Sequence, residues 1–213
     1  MLKGLIFDVD GVLMDSMSYH ADAWVQAFRE VGIPITNMDI YEIEGANHKG
    51  VVDLIFRKAG MVPKTSDYEA FLRKKREYFL LNNRAEPFKG MQACLQALKE
   101  KYKLAVASGA DRIIVNTLMD RFYPGIFKII VSGEDVTRGK PDPEPYLKAA
   151  SKLGLEPEEC IVIENAPLGV KSAKMAGIYC VAVPTYLPKE KLIGADMILT
   201  DHAELIAYLS RLL

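Results

Sequence analysis

Short apolar runs punctuate the chain at Leu5–Val9, Leu104–Ala107, Ile129–Val131, Ile161–Ile163, Cys180–Val183 and Met197–Leu199. They are rich in valine and isoleucine and do not alternate cleanly with polar residues. That pattern predicts strands covered on both faces, as in a parallel sheet. Between them the apolar positions fall at helical spacing. Met91, Cys94, Leu95, Leu98 and Tyr102 form one stripe, and Tyr146, Leu147, Ala150 and Leu153 form another that stops at Gly154. A third runs from Leu168 to Ala176 and stops at Gly177. Glycines in those places suit helix C-caps. Strands alternating with helices predict an α/β doubly wound, mainly parallel, Rossmann-like core.

Residues 17–85 lack this rhythm and contain no convincing buried strand. Tyr19, Ala23, Trp24, Ala27, Phe28 and Val31 repeat at helical spacing up to Gly32, and Gly50–Ala59 and Tyr68–Leu81 read as further helices. The expected organisation is therefore a core of residues 1–15 and 86–213, with a helical cap of residues 16–85 inserted after the first strand.

Composition narrows the partners. With 27 basic and 28 acidic residues the net charge is −1, so no global surplus of charge points to nucleic acid or an anionic membrane. No stretch approaches the roughly 20 apolar residues of a membrane span. The N-terminus runs from Lys3 into a short apolar segment ending in aspartate, unlike a signal peptide. Cys94, Cys160 and Cys180 are too far apart for a zinc or disulfide pattern and read as buried thiols. A cytoplasmic monomer is the expectation.

Chemistry gathers where the runs end. In a doubly wound sheet, ligands bind beyond the carboxyl ends of the strands. Asp8 and Asp10 follow the first run, Ser108 and Gly109 follow "LAVA", Lys140 lies in "RGKPDPEPY", and Glu164-Asn165 follow "IVI". A lone Asp-x-Asp is usually a turn, but four clusters of these types at strand ends suit phosphoryl transfer. Asp8 is placed to attack phosphorus and form an aspartyl-phosphate. Asp10, two residues on in extended chain, can face the same way and serve as acid and then base. Lys140 offsets phosphate charge, and Mg2+ would sit among oxygen ligands. The Ser108 hydroxyl, the amides of Gly109 and Ala110 and a helix beginning at Asp111 would hold the remaining phosphate oxygens.

"DVDGVLMDS", "ASGA", "GKPDPEPY" and "VIENAPLGV" resemble the four motifs of the haloacid dehalogenase superfamily, in its β-phosphoglucomutase-like branch, and the resemblance spans essentially the whole chain. It implies that Asp8 is the nucleophile and a metal ligand, and that Asp10 is the acid/base and offers a backbone carbonyl to the metal. It also implies that Ser108 and Lys140 bind phosphate, that Mg2+ is required, and that the substrate is a small phosphorylated metabolite. Glu164-Asn165 departs from the Glu-Asp usual in this branch. Either Glu164 or Asn165 is then the ligand, metal binding is expected to be weaker, and Asn165→Asp is expected to lower the Mg2+ requirement.

The cap is expected to select the substrate. The stretch "DSMSYHADAW" is similar to that of β-phosphoglucomutases, where a histidine at the position of His20 assists the acid/base, although His20 fits a structural role on an apolar helix face equally well. His48 and Lys49 lie in the cap loop expected to face the site, where the mutase pattern favours arginine. The basic run "RKKRE" reads as a solvated face, or as delivering Lys75 to the substrate. Asp15 and Ser16 read as hinge and helix-start residues. A phosphatase leads, a phosphomutase is its closest rival, and a phosphate-binding regulator without catalysis is third.

Overall fold

A computed structural model describes all 213 residues. Strand β1 (Gly4–Phe7) is followed by four helices, α1 (Met17–Arg29), α2 (Asn37–Tyr41), α3 (His48–Lys58) and α4 (Thr65–Asn82). The chain continues through α5 (Met91–Leu98), β2 (Lys103–Ala107), α6 (Arg112–Phe122), β3 (Ile129–Val131), α7 (Glu144–Leu153), β4 (Cys160–Glu164), α8 (Pro167–Met175), β5 (Tyr179–Ala182), β6 (Met197–Ile198) and α9 (His202–Ser210). The strands form one parallel sheet in the order β3-β2-β1-β4-β5-β6. The predicted α/β doubly wound class is the observed one.

The unalternating strands are explained by cover on both sides. Leu5 and Phe7 of β1 pack with Leu104, Val106 and Ile163 under α5, α6 and α9, while Ile6 packs with Ala105 and Val162 against Tyr146, Ala149 and Ala150 of α7. The cap has its own core, in which Trp24, Phe28, Phe56 and Phe71 meet through stacked, tilted and edge contacts.

The strand order reverses at β1, which lies between β2 and β4. Its register sets Phe7 beside both Val106 and Ile163. Asp8 and Glu164 therefore emerge side by side at the carboxyl edge, with Ser108 one residue further along its strand, at the switch point where such sheets bind ligands.

Several elements differ from the sequence reading. The first strand stops at Phe7, because the Val9 carbonyl turns inward to accept the amides of Val12, Leu13 and Met14. Helix α1 ends at Arg29, leaving Val31 half exposed rather than on the buried stripe. The short α2 carries little apolar periodicity and is set by a capping box between Thr36 and Asp39. Helix α9 starts at an Asp201 cap on the Glu204 amide. The three cysteines are free and buried, as expected. No helix is long and apolar enough to cross a membrane.

Candidate active site

The turn after β1 is built by its own backbone. The Gly11 amide donates to the Met14 carbonyl at 2.8 Å, and the Gly11 carbonyl accepts from Thr185 Oγ1 at 2.7 Å. This fixes Asp8 and Asp10, both buried, at the mouth of the cleft between core and cap.

Lys140 Nζ donates to Asp8 Oδ1 at 2.8 Å and to Glu164 Oε1 at 2.7 Å, so one buried ammonium bridges two buried carboxylates. Burial disfavours the charged lysine, but the paired carboxylates outweigh it and raise the Lys140 pKa. Burial pushes the Asp8 carboxyl up to about 7, with Lys140 opposing and the Glu164 and Asp10 charges adding to the rise.

Asp10 is held differently. Ser16 Oγ donates to its Oδ1 at 2.5 Å and His20 Nε2 lies 2.8 Å from the same oxygen. Lys75 Nζ is 2.6 Å from His20 Nδ1; an ammonium there donates, which leaves the ring proton on Nε2, close to Asp10 but not aligned in a hydrogen bond with it. Burial works against ionising Asp10, yet His20, Ser16 and Lys75 prevail and hold it at about 2. Burial lowers Lys75 to about 8 and moves His20 down as well. The basic run is thus not one solvated face. Lys75 is buried in the cleft, Arg76 binds Asp111 through Nε at 2.9 Å, and Lys74 reaches Glu30.

Ser108 Oγ is 3.4 Å from Asp10 Oδ2 and accepts the Ala110 amide at 3.0 Å. The helix expected to lend its N-terminus to phosphate is α6, but its first amides are already taken. Asp111 Oδ1 accepts from Ile113 at 2.9 Å and from Ile114 at 3.3 Å. His48, the first residue of α3, is partly buried and lines the cleft, while Lys49 is exposed.

Glu164 and Asn165 play unlike parts. Its Oε1 accepts from Lys140 and from Tyr146 Oη, the latter at 2.7 Å, and its Oε2 accepts the amides of Asn165 and Ala166 at 2.7 and 2.8 Å. Both oxygens are committed to holding Lys140 and the turn. Asn165 instead donates from Nδ2 to Glu44 Oε1 at 2.8 Å, leaving its own Oδ1 and Glu44 Oε2 buried without partners. Burial raises the Glu44 carboxyl well above the usual carboxylate range, against the pull of the Asn165 hydrogen bond.

Sequence reasoning missed Glu44, although it opens the cap-loop stretch "EGANHKG" that holds His48 and Lys49. It also read Ser16 as a helix-start residue. The Ser16 side chain makes no capping bond and binds Asp10 instead. Asp15 accepts from Tyr186 Oη at 2.6 Å, and that tyrosine stacks on Tyr41 of the cap.

A family model described as haloacid dehalogenase-like hydrolase matches residues 5–183. Among relatives, validoxylamine A 7'-phosphate phosphatase of Streptomyces hygroscopicus subsp. limoneus is 31% identical, covering 96% of this chain and 96% of its own. The β-phosphoglucomutase of Bacillus subtilis strain 168 is 30% identical, covering 96% of this chain and 92% of its own. Among solved structures, a hydrolase from Pseudomonas syringae superposes with a TM-score of 0.90 at 27% identity, covering 98% of each chain.

Proposed function

Because this chain belongs to the haloacid dehalogenase-like hydrolase family, we propose that it is a Mg2+-dependent phosphatase of a small phosphorylated metabolite, such as a sugar phosphate. Catalysis runs through an aspartyl-phosphate on Asp8. The observation that carries this reading is the division of labour between two buried carboxylates. Asp8 is oriented by Lys140, while Asp10, two residues on, is gripped by Ser16 and His20.

An Asp8 oxygen attacks phosphorus as the ester P–O bond breaks. Asp10 gives its proton to the departing oxygen. It is ionised when the cleft is empty, and an incoming phosphate beside it raises its pKa and favours the protonated form needed first. In the second step Asp10 takes a proton from water. The water oxygen bonds to phosphorus, the bond to Asp8 breaks, and phosphate leaves with Asp8 restored. Lys140 and the Ser108 hydroxyl hold the phosphoryl oxygens, and the cap excludes bulk water.

The residues fit a hard divalent cation. Asn165 Oδ1 and Glu44 Oε2 are buried without partners, and with the Asp8 carboxylate they are donors of the oxygen type Mg2+ takes, although no three acidic side chains converge on a preformed seat. A cation held there supplies charge that lets an anionic phosphate approach an anionic nucleophile. Glu44 alters the expectation for Asn165→Asp. In that variant the amide donor to Glu44 is gone and two buried carboxyl groups face each other. The substitution should therefore lower the Mg2+ concentration for half-maximal rate in a Glu44→Gln background and not in the wild type. Mg2+ titration of the four combinations measures this.

A phosphomutase is the second reading, favoured by the His20–Asp10 contact that resembles the mutases. Against it, the cleft carries the buried carboxyl groups of Glu44 and Asp111, and Arg76 is committed to Asp111, so no free guanidinium awaits a second phosphoryl group. A panel of phosphorylated metabolites assayed with Mg2+ decides. Release of inorganic phosphate supports the phosphatase. Conversion of β-glucose 1-phosphate to glucose 6-phosphate without release refutes it.

A further inference from the structure

The cleft between the halves is lined by Asp8, Asp10 and Ser108 of the core and by Gly45, Ala46 and His48 of the cap. The cap loop and the core loops meet closely beside this cleft, and glycines make the approach possible. Cap residues Gly45, Ala46 and Asn47 lie on a floor made by three glycines from separate core loops. Gly109 follows Ser108, Gly139 precedes Lys140, and Gly133 lies beyond β3.

None of the three has a positive φ, so their backbones would accept other residues. The lack of space explains them. A Cβ on Gly109 would stand 2.4 Å from the Gly45 carbonyl oxygen and 2.8 Å from that of Ala46. A Cβ on Gly139 would stand 2.8 Å from the Asn47 side-chain carbon Cγ and 3.0 Å from the Asn47 amide nitrogen. At Gly133 the nearest atom is the Gly109 carbonyl oxygen at 2.4 Å, with Asn47 Cβ at 3.2 Å. At Gly109 and Gly139 every close neighbour belongs to the cap, and most are backbone atoms that cannot swing aside. Asn47 is buried in this seat, and its Oδ1 caps α3 by accepting the Gly50 amide at 3.0 Å.

We infer that Gly109 and Gly139, supported by Gly133, are positioning residues that let the cap loop Gly45–Asn47 seat directly on the loops carrying Ser108 and Lys140. A single methyl group at Gly139 holds the cap off the site while both halves stay folded. The inference rests on phosphoryl transfer at Asp8 only for its activity readout.

The test uses the full chain with Gly139→Ala. Small-angle X-ray scattering reads the cap, and Mg2+-dependent hydrolysis of p-nitrophenyl phosphate reads the site. The variant is expected to keep its thermal unfolding temperature and to show a larger radius of gyration. Its kcat/KM should fall about a hundredfold, the order expected of an ångström-scale misplacement. Adding Asn47→Gly removes the clashing side chain at little capping cost and should restore most of both readouts. Wild-type scattering and kcat/KM in Gly139→Ala, or no recovery in the double variant, would overturn the inference. Should Gly139→Ala fail to fold, Asn47→Gln adds a methylene from the cap side and must produce the same opening; unchanged scattering and rate there also overturn it. An inactive Asp8→Asn beside a normal Gly139→Ala would sink the seat alone. A wild type that leaves the ester intact would sink the chemistry, while scattering still reads the seat.

Discussion

Asp8→Asn removes turnover, by at least about 10⁴-fold, and does so without loosening the fold. The amide is no nucleophile, so the first bond to phosphorus cannot form. The stability half of the prediction follows from the pKa. The folded protein holds the Asp8 carboxyl up at about 7, above its ordinary 3.8. An acid raised in this way contributes most to stability below its unfolded pKa, and that contribution is lost as pH rises through the folded value. At pH 8 the wild type therefore carries a buried carboxylate at a cost, and a neutral amide of the same shape avoids it. Thermal unfolding at pH 8 should show Asp8→Asn at least as stable as the wild type, with no phosphate released by the same sample. A variant that retains activity removes Asp8 from the mechanism.

Lys140→Met acts on both stability and rate. It leaves Asp8 and Glu164 buried with no cation between them, a loss of about 3–5 kcal/mol for breaking a buried pair from one side. Turnover should drop by about 10²–10³-fold as the positive charge on the transferring phosphoryl group disappears. The two effects separate in the double variant Lys140→Met/Glu164→Gln. Removing the second charge should recover part of the denaturant resistance and none of the rate. Equal recovery of both would make Lys140 a structural residue only.

These predictions concern residues readable in the sequence, because strand ends can be located from apolar runs. Asp8, Ser108 and Glu164 follow three such runs, and parallel register brings Asp8 level with Glu164 and within one residue of Ser108. Lys140 belongs to the same group through a loop, and its motif rather than any periodicity exposed it. The sequence was least informative where a side chain's partner lies on the other side of the cleft. Glu164 looked like a metal ligand because its type and place allowed it, but the bonds from Lys140, Tyr146 and two amides that occupy it depend on tertiary contacts. Glu44 and Ser16 are ordinary polar residues of a loop and a helix start until the cap folds down on Asn165 and Asp10. Lys75 illustrates the same limit. Five charged residues in a row suggested a solvated face, yet helical spacing turns Lys75 alone, with Phe71 and Phe79, toward the buried side.

The central claim is that the phosphoryl group rests covalently on Asp8 during turnover. Asp10→Asn should trap that group by removing the base that activates water, or slow its formation by removing the acid for the ester oxygen. The direct measurement is to mix Asp10→Asn with Mg2+ and the best substrate from the metabolite panel, quench in acid, digest, and weigh the peptide holding residues 4–16. The account predicts one phosphoryl group on that peptide, stable to acid, labile to base, and absent when Asp8 is also asparagine. A panel substrate consumed with no phosphoryl group on that peptide, or a group that persists without Asp8, would contradict it.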